Sequence, residues 1–127
     1  MNATLKLGEH YIFDLSNCSH EILMDGEHAY SLFAQAVRES GLTVVDEGFY
    51  KFSPHGFTCF LLLAESHASL HAWPEYNYCA VDLFTCSIGK DLSPLIQKIK
   101  DALGAENFSL RKFDRTAEIE SVFPIKI

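Results

Sequence analysis

Basic residues are scarce in this chain: 10 Lys and Arg against 17 Asp and Glu leave a formal net charge of −7 over 127 residues. Nucleic-acid backbones are bound by clustered cations that release condensed counterions, so no nucleic-acid partner is expected. Long apolar runs are missing as well. No stretch approaches the ~20 apolar residues of a membrane span, and the start, MNATLKLGEHYIF, lacks the basic-then-apolar order of a secretion signal. The expectation is a cytoplasmic protein with no membrane partner. Cysteine is present four times but in no CxxC pair, and Cys59 and Cys79 sit in apolar runs that read as strands. Reduced thiols are expected rather than a disulfide framework.

What the chain does have is apolar and aromatic bulk. At 48% hydrophobic and 13% aromatic residues, residues 1–127 are expected to form one domain with a substantial core. His10 to Leu15 reads as a first strand and SNCSHE after it as a turn. From Asp25 to Ser40, Ala29, Leu32, Phe33, Ala36 and Val37 recur at helical spacing, with Asp25 as N-cap and Gly41 as the stop. Thr43 to Phe52 reads as a strand with a bulge at Gly48, and Ser53-Pro54-His55-Gly56 as a turn. Phe57 to Ala64 reads as a central strand, followed by strands over Ser69 to Trp73 and Tyr78 to Cys86.

Asp91 or Ser93 can cap a second helix, with Pro94 near its first position, that carries Leu92, Leu95, Ile96, Ile99 and Leu103 on one face and stops at Gly104. Asn107 to Phe113 reads as the last strand, and the tail from Thr116 to Ile127 shows no periodicity. This order suits an α+β fold, a two-layer sandwich whose antiparallel sheet carries helices on one face. The other face, rich in aromatics, is then left for a second subunit, and a homodimer is expected.

Chemistry concentrates in 61-LLLAESHASLHAWPEY-76, where an apolar run ends in Glu65-Ser66-His67. Alternation puts Ser69, His71 and Trp73 on one face of that strand and Leu70 and Ala72 on the other. Taken locally, Ser66 is a strand-end hydroxyl and His71 a surface histidine, and no spacing fixes a third triad member. His67 and His71 would suit zinc on a helix, but this segment reads as strand and no ligand set completes it, so no metal is expected. Cys86 closes the strand AVDLFTC before a glycine turn, a place where a thiol is accessible. Glu75 follows a rigid Trp73-Pro74 turn and could meet ribose hydroxyls or water.

Taken together, FSPHG, AESH, LHAWPEY and AVDLFTC, in order between Phe52 and Cys86, resemble the signature of the small prokaryotic S-adenosylmethionine decarboxylase proenzymes. The length, the LGEH start and the helix after the cysteine strand fit the same resemblance. It implies self-cleavage between Glu65 and Ser66 into a beta chain, 1–65, and an alpha chain, 66–127. Ser66 Oγ attacks the Glu65 carbonyl, the resulting ester eliminates to dehydroalanine, and loss of ammonia leaves a pyruvoyl cofactor. That group forms a Schiff base with the substrate amine and replaces pyridoxal phosphate as the electron sink.

By the same resemblance His71 assists the elimination and Cys86 returns a proton to the product carbon. Phe52 and Trp73 sandwich the adenine, and Glu75 holds the ribose. Where family members commonly carry a serine eight residues before the cleavage serine, this chain has Thr58, whose hydroxyl makes the same hydrogen bond with a restricted rotamer. The implied reaction converts S-adenosylmethionine to CO2 and the aminopropyl donor for spermidine synthesis. Ornithine or arginine as substrate stays open, although neither needs an adenosine pocket. A noncatalytic partner subunit stays open too, although such a chain is free to lose Ser66, His71 and Cys86.

Overall fold

The computed structural model describes residues 3–119. Six strands form one antiparallel sheet: β1 (Ala3–Ser16), β2 (Val44–Lys51), β3 (Phe57–Leu63), β4 (Ser66–Trp73), β5 (Tyr78–Thr85) and β6 (Asn107–Ile119). Their order across the sheet is β2-β3-β4-β5-β1-β6. Helices α1 (His20–Met24), α2 (Gly26–Glu39) and α3 (Ser93–Ala102) complete the two-layer α+β architecture expected from the element order. Among the described residues no helix is long and apolar enough to cross a membrane.

The period of two along the strands sorts the core. Phe13 and Leu15 in β1, Cys59 and Leu61 in β3, Ala68 and Leu70 in β4, and Val81 and Leu83 in β5 are all buried. They meet Phe33 and Val37 of α2 and Leu95 and Ile99 of α3, the stripes that the helical spacing marks. Helix α2 begins where expected, because an Asp25 carboxyl oxygen accepts from the His28 backbone N–H at 3.2 Å. The opposite face carries the alternate residues, among them Phe60, Leu62, His71 and Trp73, and these are exposed.

Several expectations need correction. The polar SNCSHE segment leads into a helix, since Ser19 Oγ accepts from Ile22 N at 3.3 Å and caps α1. The irregularity in β2 lies between Val44 and Asp46, whereas Gly48 pairs regularly with Phe60. Val45 is therefore the residue pushed out of register, and it is exposed. Strand β3 is second from the edge and exposes Phe60 and Leu62, so its apolar run does not mark burial on both faces. Strand β4 begins at Ser66, not Ser69. Helix α3 is preceded by Leu92, and Asp91 supports its start by accepting from Ser93 N at 3.0 Å. Strand β6 runs beyond Phe113 to Ile119 because the first residues of β1 extend to pair with it, Ala3 facing Ile119. The rest of the expected tail lies outside the described residues.

One buried carboxylate interrupts the core face. Glu9 is 2% exposed and pairs with Lys6 at 2.6 Å and Lys112 at 3.1 Å. The Lys6 hydrogen bond, opposed by burial and helped by Lys112, holds its carboxyl below the ordinary glutamate range.

Candidate active site

The bond between Glu65 and Ser66 lies where the chain turns from β3 into β4, and β5 ends beside it. Register pairs Ser66 with Thr85, which brings the next residue, Cys86, next to the turn. The Cys86 backbone N–H donates to the Glu65 carbonyl oxygen at 3.0 Å. The exposed Cys86 Sγ lies 3.4 Å from Ser66 Oγ. A Glu65 carboxyl oxygen accepts from Thr43 N at 3.2 Å, tying the residue before the bond to the start of β2. A hydroxyl, a thiol and an N–H already aimed at a carbonyl oxygen thus meet at one peptide bond. An N–H in that place stabilises negative charge on the oxygen when the carbonyl carbon is attacked.

A second group lies at the far end of β4. Thr58 and His71 face each other across β3 and β4, and Thr58 Oγ1 is 2.9 Å from His71 Nδ1. This pair borders a cavity of about 390 Å³ that Phe52, Trp73 and Glu75 also line, a size within the range of small-molecule sites. The Ser53–Gly56 turn lines the same cavity and is closed by Phe52 N donating to Gly56 O at 2.8 Å. Gly56 has φ +96°, and a Cβ there would come within 3.1 Å of the Ala72 carbonyl oxygen, so the turn needs glycine. The Ser53–Pro54 peptide bond in this turn is cis.

Trp73 packs on Tyr78 at 5.5 Å between ring centroids. Tyr78 donates to Asp14 at 2.7 Å, and its pKa is pushed up to about 12 by burial and then by that bond, which keeps it neutral. His55 reaches Glu75 at 3.4 Å. Sequence reading treats His55 only as part of a turn, since nothing in FSPHG shows that its ring meets a carboxylate twenty residues on.

The residues singled out from sequence therefore fall into two groups. Glu65, Ser66 and Cys86 are together; Thr58, His71, Phe52, Trp73 and Glu75 are together. Ser66 and His71 are five residues apart on one extended strand, ~17 Å at ~3.3 Å per residue, and the fold does not unite them within one chain.

The S-adenosylmethionine decarboxylase family model matches residues 9–116. An S-adenosylmethionine decarboxylase proenzyme from Thermotoga maritima is 36% identical over 111 residues, 86% of this chain and 84% of the relative. One from Thermodesulfovibrio yellowstonii is 39% identical over 90 residues, 71% of this chain and 65% of that relative's length. The crystal structure of the adenosylmethionine decarboxylase from Aquifex aeolicus superposes with a TM-score of 0.80 at 29% identity, covering 95% of this chain and 98% of that one.

Proposed function

This chain belongs to the S-adenosylmethionine decarboxylase family, and we propose on that premise that it decarboxylates S-adenosylmethionine through a pyruvoyl group made from its own Ser66. The carrying observation is the Cys86 N–H on the Glu65 carbonyl oxygen, with Ser66 Oγ beside it. Ser66 Oγ adds to the Glu65 carbonyl carbon while that N–H takes up the charge on oxygen. The C–N bond then breaks, leaving an ester and a free amine. Loss of the Ser66 α-proton expels the Glu65 carboxylate and yields dehydroalanine, and water replaces its nitrogen as ammonia to leave the ketone.

These residues fit such a group, because the serine lies at an accessible strand end beside a thiol and not inside the core. The pyruvoyl group supplies an electron sink for the pair released as CO2 departs. Cys86, 3.4 Å from the Ser66 oxygen, is the proton donor to the carbon left behind. Phe52 and Trp73 take the adenine between their rings, and Glu75, steadied by His55, takes the ribose hydroxyls. A short basic amino acid would leave that cavity unused, which favours the nucleoside-bearing substrate over ornithine or arginine.

The two groups of residues become one site when two chains pack uncovered face to uncovered face about a two-fold axis. In that arrangement the Ser66 end of one β4 meets the His71 end of the partner's. The ~17 Å along β4 and the exposure of Phe60, Leu62 and Trp73 support this homodimer. His71, held by Thr58, then assists elimination across the boundary.

Intact-mass spectrometry of the purified protein tests the cofactor directly. Fragments 1–65 and 66–127 are expected, the second blocked to Edman degradation by its ketone. Ser66→Ala should remain a single uncut chain, and persistent uncut wild-type protein after long incubation would refute the reading.

A further inference from the structure

On the face of the sheet away from the helices, three strands bring together residues that neither group above uses. His10 of β1 and His67 of β4 both lie opposite Phe84 of β5 in the strand register, and Asp82 is two residues along on the same face. His10 Nε2 bonds to Asp82 Oδ1, and His67 Nε2 is 3.6 Å from the same oxygen. The three ligand atoms lie within 4.8 Å of one another and the residues are half-buried.

Aromatic packing fixes the rings in that pose. His67 is stacked on Phe84 at 5.8 Å and 16° and on Phe60 at 5.6 Å and 23°. His10 stands edge-on to Phe84 at 5.5 Å and 88°. The end of the Phe84 ring packs over Gly8 of β1, where a Cβ would fall 2.6 Å from it and displace the ring. Two imidazoles are thereby held with their Nε2 atoms turned toward one carboxylate.

We propose that His10, His67 and Asp82 bind one divalent borderline transition-metal ion, of the zinc or cobalt class. Two nitrogens and one carboxylate oxygen suit such ions, whereas magnesium and calcium select all-oxygen shells. Metal–ligand bonds of ~2.1 Å place ligand atoms ~3.4 Å apart in a tetrahedron, so modest side-chain rotations complete three positions and leave a fourth that faces the partner subunit in the homodimer proposed above. His71, the other histidine weighed for zinc from the sequence, is engaged by Thr58 at the far end of β4 and takes no part.

The ligands also straddle the bond proposed to be cut, His10 before it and His67 and Asp82 after it. An ion here ties the two product chains together. That consequence rests on the reading above, but the binding does not.

The test uses tag-free protein stripped of metal with a chelator and then titrated with Co2+. Visible absorption and the metal content after dialysis are the readouts. The expected result is one Co2+ per chain, displaced by Zn2+ and not by millimolar Mg2+. Affinity should fall by at least about tenfold in His10→Asn and in Asp82→Asn, the lower bound for disturbing even the outer partners of a metal site. His28→Asn, on the exposed side of α2, should bind like the wild type. The uncut Ser66→Ala chain should bind equally, which separates this claim from the processing claim. Far-UV circular dichroism checks that each variant is folded, and Asp82→Asn preserves side-chain volume. Substoichiometric Co2+ on the wild type, equal binding by both ligand variants, or displacement by Mg2+ would each overturn the proposal.

Discussion

Cys86 allows the proposed self-cleavage to be tested apart from turnover. Its backbone N–H faces the Glu65 carbonyl oxygen whatever the side chain, while its thiol is the group assigned to return a proton to the substrate. Cys86→Ala should therefore still yield two chains by mass spectrometry. Its decarboxylation rate should fall by a factor on the order of 10², the usual loss for a positioned proton donor. The remaining activity should also decay with turnover, because protonation at the wrong carbon consumes the cofactor; a linear, undiminished progress curve would assign the acid elsewhere. The types and order of these residues were legible in the sequence, since AESH, LHAWPEY and AVDLFTC lie within thirty residues. The Cys86–Glu65 hydrogen bond was not, because it arises from the pairing register of β4 with β5. His55, His10 and Asp82 were missed for a related reason: His10 and Asp82 meet across paired strands, and His55 meets Glu75 between two turns brought together by the sheet, not along the chain.

At the scale of the element, β4 carries both groups of residues and is held by one buried face. Leu70 is fully buried and lies between Cys59 of β3 and Val81 of β5. Leu70→Ala should cost about 2–5 kcal/mol, the range for emptying a packed leucine site, measured as a lower urea midpoint at unchanged m-value. Strand β1 offers a pH-dependent test through Glu9, whose folded pKa lies below its unfolded value because of Lys6 and then Lys112. A depressed carboxyl pKa stabilises the fold above the unfolded value, and that contribution is lost as pH falls through the folded one. The Tm difference between wild type and Glu9→Gln should thus be full at pH 7 and shrink as the pH drops below ~4.3; a difference that is constant down to pH 2 would contradict the ion pairs. Helix α2 could be placed from sequence because an apolar stripe, a cap and a glycine stop agree. The five-residue α1 is too short for periodicity to register. Strand β6 is an exposed edge with no buried alternation to read, so its far end was invisible until its pairing with β1 was known.

For the whole molecule the decisive expectation is a dimer. Light scattering at micromolar concentration should report twice the chain mass. A mixture of Ser66→Ala and His71→Ala chains should regain activity that neither has alone, provided they are co-expressed so that heterodimers form. A monomeric wild type, or no regain, would contradict a site shared between copies. The α+β class followed from the sequence because the alternation and helical stripes are local signals that repeat along each element, and the family signature followed because its motifs are contiguous. Which of the candidate residues share a neighbourhood was decided by strand order and register, which set contacts between residues far apart in the chain. That is why one sequence motif, ESH through LHAW, is divided by the tertiary structure into two groups at opposite ends of a single strand.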